Sequence, residues 1–363
     1  QKIQVANKVT EEGNVMLAIC RTQTVSLYMG EVQLVGQAAN AFVAQAPNVI
    51  GTMNVLKGNY GTMNPESVVE YMGLVFWIDI LNGCFVQYSN NGLEPVSRYK
   101  QSRFFKNYSQ GYLATNNNNL DNINGFHHIP TGVDVFHKEV VCSLPGFIYD
   151  NYGENLPSYS SVPAYATSIL NRFDIYDELK KTICFKFEEN NWGSNFEWIS
   201  EFMDYFQNTM VGFKNGYLYK FNTNTTNWNR FFGVDYPVRI CTTGNLNPSL
   251  LKDLFNIAIE SNVVPDYSVA MANYPNSQIT DLAAGDFTDQ QGIFYADWFM
   301  DRLSPNSSGS ADEKLYTGDQ LTDFALFFMF EFQQYDSLIY INFVDIGYDG
   351  SRGQKQIAKA INT

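Results

Sequence analysis

Leu74-Val75-Phe76-Trp77-Ile78-Asp79-Ile80 is an almost unbroken apolar run, followed after Leu81 by Asn82-Gly83 and then by Cys84-Phe85-Val86-Gln87-Tyr88. A strand with one wet face alternates apolar and polar residues. A run that stays apolar at successive positions is expected of a strand buried on both faces. Asn-Gly between two such runs predicts a two-residue hairpin turn, because a type I′ turn needs positive φ at both central positions. Asn91-Gly92 predicts a further turn directly after.

Working outward, the same rhythm recurs. Residues 138–144 read as a strand, continuing through Gly146 to Phe147-Ile148-Tyr149. Residues 182–187 alternate, with Ile183, Phe185 and Phe187 on one face. Met210-Val211-Gly212-Phe213 leads through a second Asn-Gly pair, Asn215-Gly216, into 217–221, where Tyr217, Tyr219 and Phe221 share a face. The units are spaced roughly 30 to 65 residues apart, near the ~40–50-residue period of a β-propeller blade. Blades are therefore expected at about 68–100, 133–150, 181–199 and 210–233, on the strand and turn rhythm alone.

Upstream, 15–20 and 25–28 read as strands, the Ala-rich 36–50 as a short helix, and 51–67, with Gly51, Gly58, Gly61 and Pro65, as loop. The Asn-rich stretches at 116–119 and 222–229 read as polar connections. After Pro237 the texture changes. Residues 250–259 admit two readings, an amphipathic helix on Leu251, Leu254, Phe255 and Ala258 or a segment ending in a strand. Residues 304–313 read as an exposed loop, and 324–332 and 338–346 as the strongest strands of the chain. The expected fold is mostly β: N-terminal strands and loop over 1–67, propeller-like blades over 68–237, and a β-rich, sandwich-like domain over 238–363. The run 324–330 needs cover on both faces, which argues for a chain that works as an assembly and not as a lone monomer.

The bulk numbers agree with this class. The chain has 363 residues, 45% of them hydrophobic, with 28 Phe and 23 Tyr, a usage that favours strands over disorder. The net charge is −14, so non-specific binding of nucleic acid is disfavoured by phosphate repulsion. Charged residues make up only 17%, compatible with a surface largely covered by neighbouring subunits or simply with a neutral polar exterior. Cys20, Cys84, Cys142, Cys184 and Cys241 are odd in number, well separated and mostly in apolar strand contexts, so reduced, buried thiols are expected and not a disulfide framework. There is no signal peptide, lipidation signal or apolar run of membrane-spanning length, hence no expected membrane anchor. The chain starts at Gln1 inside a strand-like stretch, which reads as a fragment of a longer polypeptide.

Candidates for chemistry are few. His127, His128 and His137 would need to converge with a carboxylate such as Asp134 or Glu139 to hold a metal; histidines at loops and strand edges are the simpler reading. No GxSxG, GxGxxG, Walker loop or CxxC is present. A glycoside-hydrolase carboxylate pair needs only to converge in space, with Asp79, Asp286 and Asp297 as candidates, yet acids at strand ends and turns are ordinary. The stretch 345–353 has Asp and Gly but lacks the ligand rhythm of a calcium loop and reads as a turn-rich strand exit. The densest basic stretch, with Arg98, Lys100, Arg103 and Lys106, reads as a solvated or interfacial loop. The sequence therefore predicts no enzyme: no catalytic, metal or cofactor-binding residue and no cofactor.

Gly61-Thr62-Met63-Asn64-Pro65-Glu66-Ser67, the 74–97 stretch, FKNGYLYKFN at 213–222, the Asn-Asn-Trp at 190–192, and the late YTGDQL and GYDGSRGQ stretches together resemble the tail stabilisation, or muzzle, proteins of crAss-like bacteriophages. That group is similar in role to the β-propeller nozzle and hub proteins of short-tailed phages. The resemblance is one of pattern, spread over most of 51–353. It implies a virion component at the distal tail. Its partners would be copies of itself in a ring and other phage tail proteins, with genome DNA passing through the channel without specific binding. It implies no catalytic residue. The alternative reading is a propeller that binds or degrades glycans.

Overall fold

The computed structural model describes residues 2–10, 13–29, 53–115, 128–145, 181–272, 278–304, 316–350 and 355–360. The helix expected at 36–50, the Asn run at 116–119, Phe147-Ile148-Tyr149, His127 and most of the loop at 304–313 lie outside these residues. The chain is mostly β and divides into two compact units. One holds the described residues up to 145 and from 181 to Thr223, the other those from Asn224 onward.

The first unit is a series of antiparallel meanders. Strands β1 (Lys2–Thr10), β2 (Gly13–Ile19), β3 (Thr24–Met29) and β4 (Met53–Val55) form the first sheet. Strands β5 (Val69–Tyr71), β6 (Leu74–Asp79), β7 (Cys84–Ser89) and β8 (Gly92–Pro95) form the second. The helix α1 (Ser102–Thr115) follows, then β9 (Thr131–Asp134), β10 (Glu139–Leu144), β11 (Lys181–Lys186) and β12 (Asn191–Phe196) in the third sheet. Strands β13 (Phe202–Phe206), β14 (Thr209–Lys214) and β15 (Tyr217–Lys220) make a fourth, three-stranded sheet. The opening strands of successive sheets are neighbours, β5 of β1, β9 of β5 and β13 of β9.

Strand β6 is buried on both faces, as its run predicts. Phe76 and Ile78 enter a core with Phe85, Phe105, Tyr108, Val140, Ile183 and Phe185. Val75 and Trp77 turn the other way, into a core with Leu17, Ile19 and Val86 of the first and second sheets. Ile183, Phe185 and Phe187 share the first of these cores, as their alternation predicts.

Several expectations are corrected. The spans 133–150 and 181–199 are not two blades: β10 pairs with β11 from Glu139↔Lys186 to Leu144↔Lys181, so both belong to one sheet. Among the described residues none of the sheets closes on itself. Asn215-Gly216 is a two-residue turn, with Lys214 paired to Tyr217 and φ of 52° and 78°. Asn82-Gly83 is not. Asp79 pairs with Cys84 across a four-residue connection, and only Gly83 of the Asn-Gly pair has positive φ. The reason is local: the buried Asp79 carboxylate accepts from the Asn82 backbone N–H at 3.0 Å and from its side-chain amide at 2.7 Å, and Ile80 continues into the core. The stretch around Arg98, Arg103 and Lys106 is not loop. It contains α1, whose Phe105, Tyr108 and Tyr112 lie on one face at helical spacing and are buried. Within 51–67, expected to be loop, β4 adds a short edge strand and 65–67 a 3-10 turn.

The second unit begins with a small hairpin, β16 (Arg230–Phe231) and β17 (Val234–Asp235). Two larger sheets follow, built from β18 (Val238–Gly244), β19 (Lys252–Ser261), β20 (Tyr267–Ala272), β21 (Gln278–Ala283), β22 (Thr288–Gln290), β23 (Ile293–Asp297), β24 (Thr322–Asp323), β25 (Leu326–Phe332), β26 (Ile341–Gly350) and β27 (Lys355–Ala360). One sheet runs β18-β25-β20-β21; the other runs β22-β23-β19-β26-β27, with β24 on β19. They share one core: Leu254, Ile257, Val344 and Ile346 from one sheet, Ala270, Leu282, Phe328 and Phe330 from the other.

The helix reading of 250–259 is overturned, because β19 is a strand. Leu254 pairs with Tyr348 and Asn256 with Gly347, so Phe255 is the extra residue of a β-bulge. The bulge moves the buried positions from Leu254 to Ile257, three residues on, which imitates a helical period. Residues 345–350 are strand and not a turn-rich exit, and 338–340 precede the strand. The run 324–330 likewise departs from expectation. Strand β25 lies between β18 and β20, with Phe328 and Phe330 in the shared core and Met329 in a smaller cluster with Val269 and Ile279 on the opposite face. Its own unit covers that run, so it requires no partner.

Candidate functional site

The acids read as a possible glycosidase pair have separate local tasks. Asp79, fully buried, also accepts from the Gly61 N–H at 3.0 Å, and burial raises its pKa. Asp286 accepts from the Ala283 N–H within its 3-10 turn. Asp297 is exposed at the end of β23, paired with Asn256. Nothing in this arrangement makes Asp79 a general acid: its oxygens are consumed by N–H donors that fix the β6–β7 connection.

The histidines are likewise separated. His128 Nδ1 lies 3.2 Å from Glu66, and His137 Nδ1 lies 2.7 Å from Asp134, which also accepts from Asn222 at 2.8 Å. Glu139 stands opposite Asp134 across the strand pair and feels the charges of His137 and Asp134; it is half-buried, and burial, the largest effect, raises its pKa. Among the described residues no group of three His, Cys, Asp or Glu could hold a metal ion. Of the basic residues, Arg98 contacts Glu94 and Tyr99 at 2.7 and 2.6 Å, Lys100 reaches Asn191 at 3.2 Å, and Arg103 and Lys106 lie exposed on α1.

All five cysteines are free; Cys84, Cys142 and Cys184 are buried as expected, whereas Cys20 is half-buried and Cys241 is exposed on β18. Burial pushes the Cys84 and Cys142 thiols up to about 12, with the Asp79 charge adding to the effect on Cys84. A thiol so placed is protonated at neutral pH and behaves as a small core hydrophobe, not as a nucleophile.

Two clefts carry side chains that the sequence did not single out. The first, of about 350 Å³, opens where β5, β9 and β13 meet, with Glu66, Glu70, Asp204 and Tyr205 at its walls. Burial raises the Tyr205 pKa, and Glu70 and Asp204 raise it further. The phenol is therefore a neutral donor set against carboxylate acceptors. The second cleft, of about 530 Å³, lies in the second unit and is lined by Asn227, Asp235, Asp266, Gln334, Tyr335 and Asp336. Hydrogen bonds shape its walls: Gln333 N–H donates to Asp266 at 2.6 Å, and Trp228 N–H donates to the Tyr335 carbonyl at 2.9 Å. Among the described residues neither lining includes a His, Ser or Cys; the groups they hold include carboxylates, a tyrosine each and, in the first, the Thr131 hydroxyl.

Among the described residues an exposed apolar row lies on the fourth sheet. Phe202 pairs with Phe213 and Phe213 with Leu218, so the three side chains form one row on one face. They are 44%, 38% and 59% exposed, and the Phe202 and Phe213 rings lie 6.1 Å apart. On the opposite face Met203 and Met210 are buried and Gly132 of β9 packs against them, while Tyr217 at the end of that face is 69% exposed. The residues 202–206 (Phe-Met-Asp-Tyr-Phe) carried the signal, since both faces of such a strand are apolar, but alternation does not say which face is covered.

No family model matches the chain, and no curated protein matches it significantly. Among the described residues no helix is long and apolar enough to cross a membrane.

Proposed function

We propose that the chain is a non-catalytic structural subunit of a tailed-phage virion, placed at the distal end of the tail as part of a ring around the genome channel. The observation that carries the reading is the open series of stacked meanders in the first unit, whose last sheet ends on a bare apolar row. Such a series suits propeller-like blades contributed to an assembly, because an open end of that composition is covered in a working protein by another surface. The free, buried thiols suit a packing role in place of chemistry. The resemblance in pattern to muzzle proteins supplies the location, and the acidity of the chain favours passage of DNA over retention.

The test has two arms. Electron microscopy of the purified chain is expected to show closed rings with an axial channel, and a monodisperse monomer at high concentration sinks the subunit reading. Antibodies against the chain are expected to decorate purified virions at the tail tip. Virions free of the chain refute the location.

A second reading, glycan binding, is favoured by the cleft of the second unit, where carboxylates, amides and the Tyr335 ring offer the acceptors and apolar platform that sugars use. Loss of glycan-array binding on Tyr335→Ala would support it; an array without signal removes it.

A further inference from the structure

We infer that copies of this chain associate head to tail, the bare face of the fourth sheet of one copy seating on the outer face of the first sheet of the next. The inference rests on the subunit reading and specifies its interface.

Both ends of the stack have apolar faces with exposed members. On the fourth sheet it is the Phe202–Phe213–Leu218 row, flanked by Val211 and Phe206. On the first sheet the register sets Ala18 against Val25 and Val55, and Met16 against Leu27 and Met53. Directly paired residues point to the same side, so these six form one apolar face with no charged member. Leu17 and Ile19, which alternate with them, point inward and are fully buried against the second sheet. Met53 and Val55 are 66% and 57% exposed, and the other four are half-buried.

The occupant follows from how the stack is built. Within one copy, apolar sheet faces pack on one another, as Leu17 and Ile19 do with Val75 and Trp77, and the opening strands of neighbouring sheets adjoin. Seating the fourth sheet of one copy on the first sheet of the next repeats that arrangement and brings β13 of one beside β1 of the other. The only charged side chains among the fourth-sheet residues on this face are Asp204 and Lys220, which oppose each other in sign, and none of the six first-sheet residues is charged. The two faces differ, so the contact is heterologous, the kind that propagates into a closed ring or a filament and does not stop at a two-fold dimer.

The test uses the full chain and two substitutions at exposed side chains, Leu218→Glu on the fourth sheet and Val55→Glu on the first. Far-UV circular dichroism and melting are expected to stay at the wild-type values. By analytical ultracentrifugation each variant alone is expected to be monomeric where the wild type assembles, with association weakened at least 100-fold. Mixed in equal amounts, the two retain one intact interface between them and are expected to give a heterodimer and nothing larger. Either variant dimerising with itself, or assembling like the wild type, overturns the head-to-tail interface while leaving the subunit reading in place. A monomeric wild type ends both.

Discussion

The second and fourth sheets of the first unit are built alike, as antiparallel meanders with tight turns, and differ in cover. In the second, β6 has Phe76 and Ile78 in one core and Val75 and Trp77 in another. In the fourth, Met203 and Met210 are buried while Phe202, Phe213 and Leu218 lie open on the other side. The comparison separates what a strand needs from what a sheet needs. Pairing and turn chemistry suffice to form either meander, but only the second sheet has its stability set on both faces by neighbours in the same chain.

The comparison can be broken most directly at Trp77. It is fully buried and its indole N–H donates to the Gly61 carbonyl at 3.0 Å. Trp77→Ala is expected to cost about 3–5 kcal/mol in chemical denaturation, the range for a large buried aromatic. A cost under about 1 kcal/mol would show that the two-sided burial of β6 is not what holds the sheet.

Two glycines with positive φ sharpen it. Gly216 turns into open space at φ 78°, whereas a Cβ on Gly83, at φ 62°, would meet the Lys106 backbone at 3.1 Å. Gly216→Ala is expected to cost about 1 kcal/mol from conformation alone. Gly83→Ala should cost more, about 2 kcal/mol, because the β6–β7 connection must also shift against α1. Equal costs would remove the distinction between an enclosed and an exposed turn.

The buried thiols give the pH arm. Cys84 and Cys142 have folded values near 12 against 9.0 in the unfolded chain. Their contribution is whole below pH 9 and is lost as pH rises from there toward the folded value, because unfolding then releases protons. Stability is expected to fall above pH 9 by about 1.4 kcal/mol per pH unit for each such thiol. Cys142→Ala should flatten that slope, and a slope unchanged by the substitution would mean that other groups set it. The smallest effect is at the bare face. Leu218→Ser is expected to change the stability of the isolated chain by less than about 0.5 kcal/mol, measured at concentrations too low for association. A larger loss would mean that the face is already covered.

The legible parts of the fold are those where one residue type has one physical meaning. Asn215-Gly216 is legible because both residues take the positive φ of a two-residue turn, whereas the same pair at Asn82-Gly83 misleads because the Asp79 carboxylate holds Asn82; the run at 74–80 is legible because a strand wet on one side does not tolerate it. Residues 250–259 mislead because the bulge at Phe255 changes the spacing of buried residues from two to three. Helix α1 was hidden in the opposite way. Its aromatics were counted toward β content although Phe105, Tyr108 and Tyr112 recur at helical spacing. The two clefts were not legible at all, since Glu66, Glu70 and Asp204, or Asp235, Asp266 and Asp336, come together only through pairing of distant segments. The exposed row on the fourth sheet is half legible: the strands of Phe213 and Leu218 are expected from the sequence, while β13 with Phe202 and the open side of the sheet are not.

The order of strands also sets an order of folding. In the first unit each strand pairs with its chain neighbours, so every sheet can form as soon as its own segment is available. In the second unit β18 must wait for β25, with Val238 opposite Phe332, and β19 for β23 and then β26, with Ile257 opposite Ala296 and Ile346. Closing such long loops costs entropy before any contact offsets it, and slows folding accordingly. During synthesis the first unit is therefore expected to gain protease resistance while β19 remains an unpaired strand, and the nascent chain passes through a stage at which its N-terminal sheets are complete and its C-terminal core has yet to close.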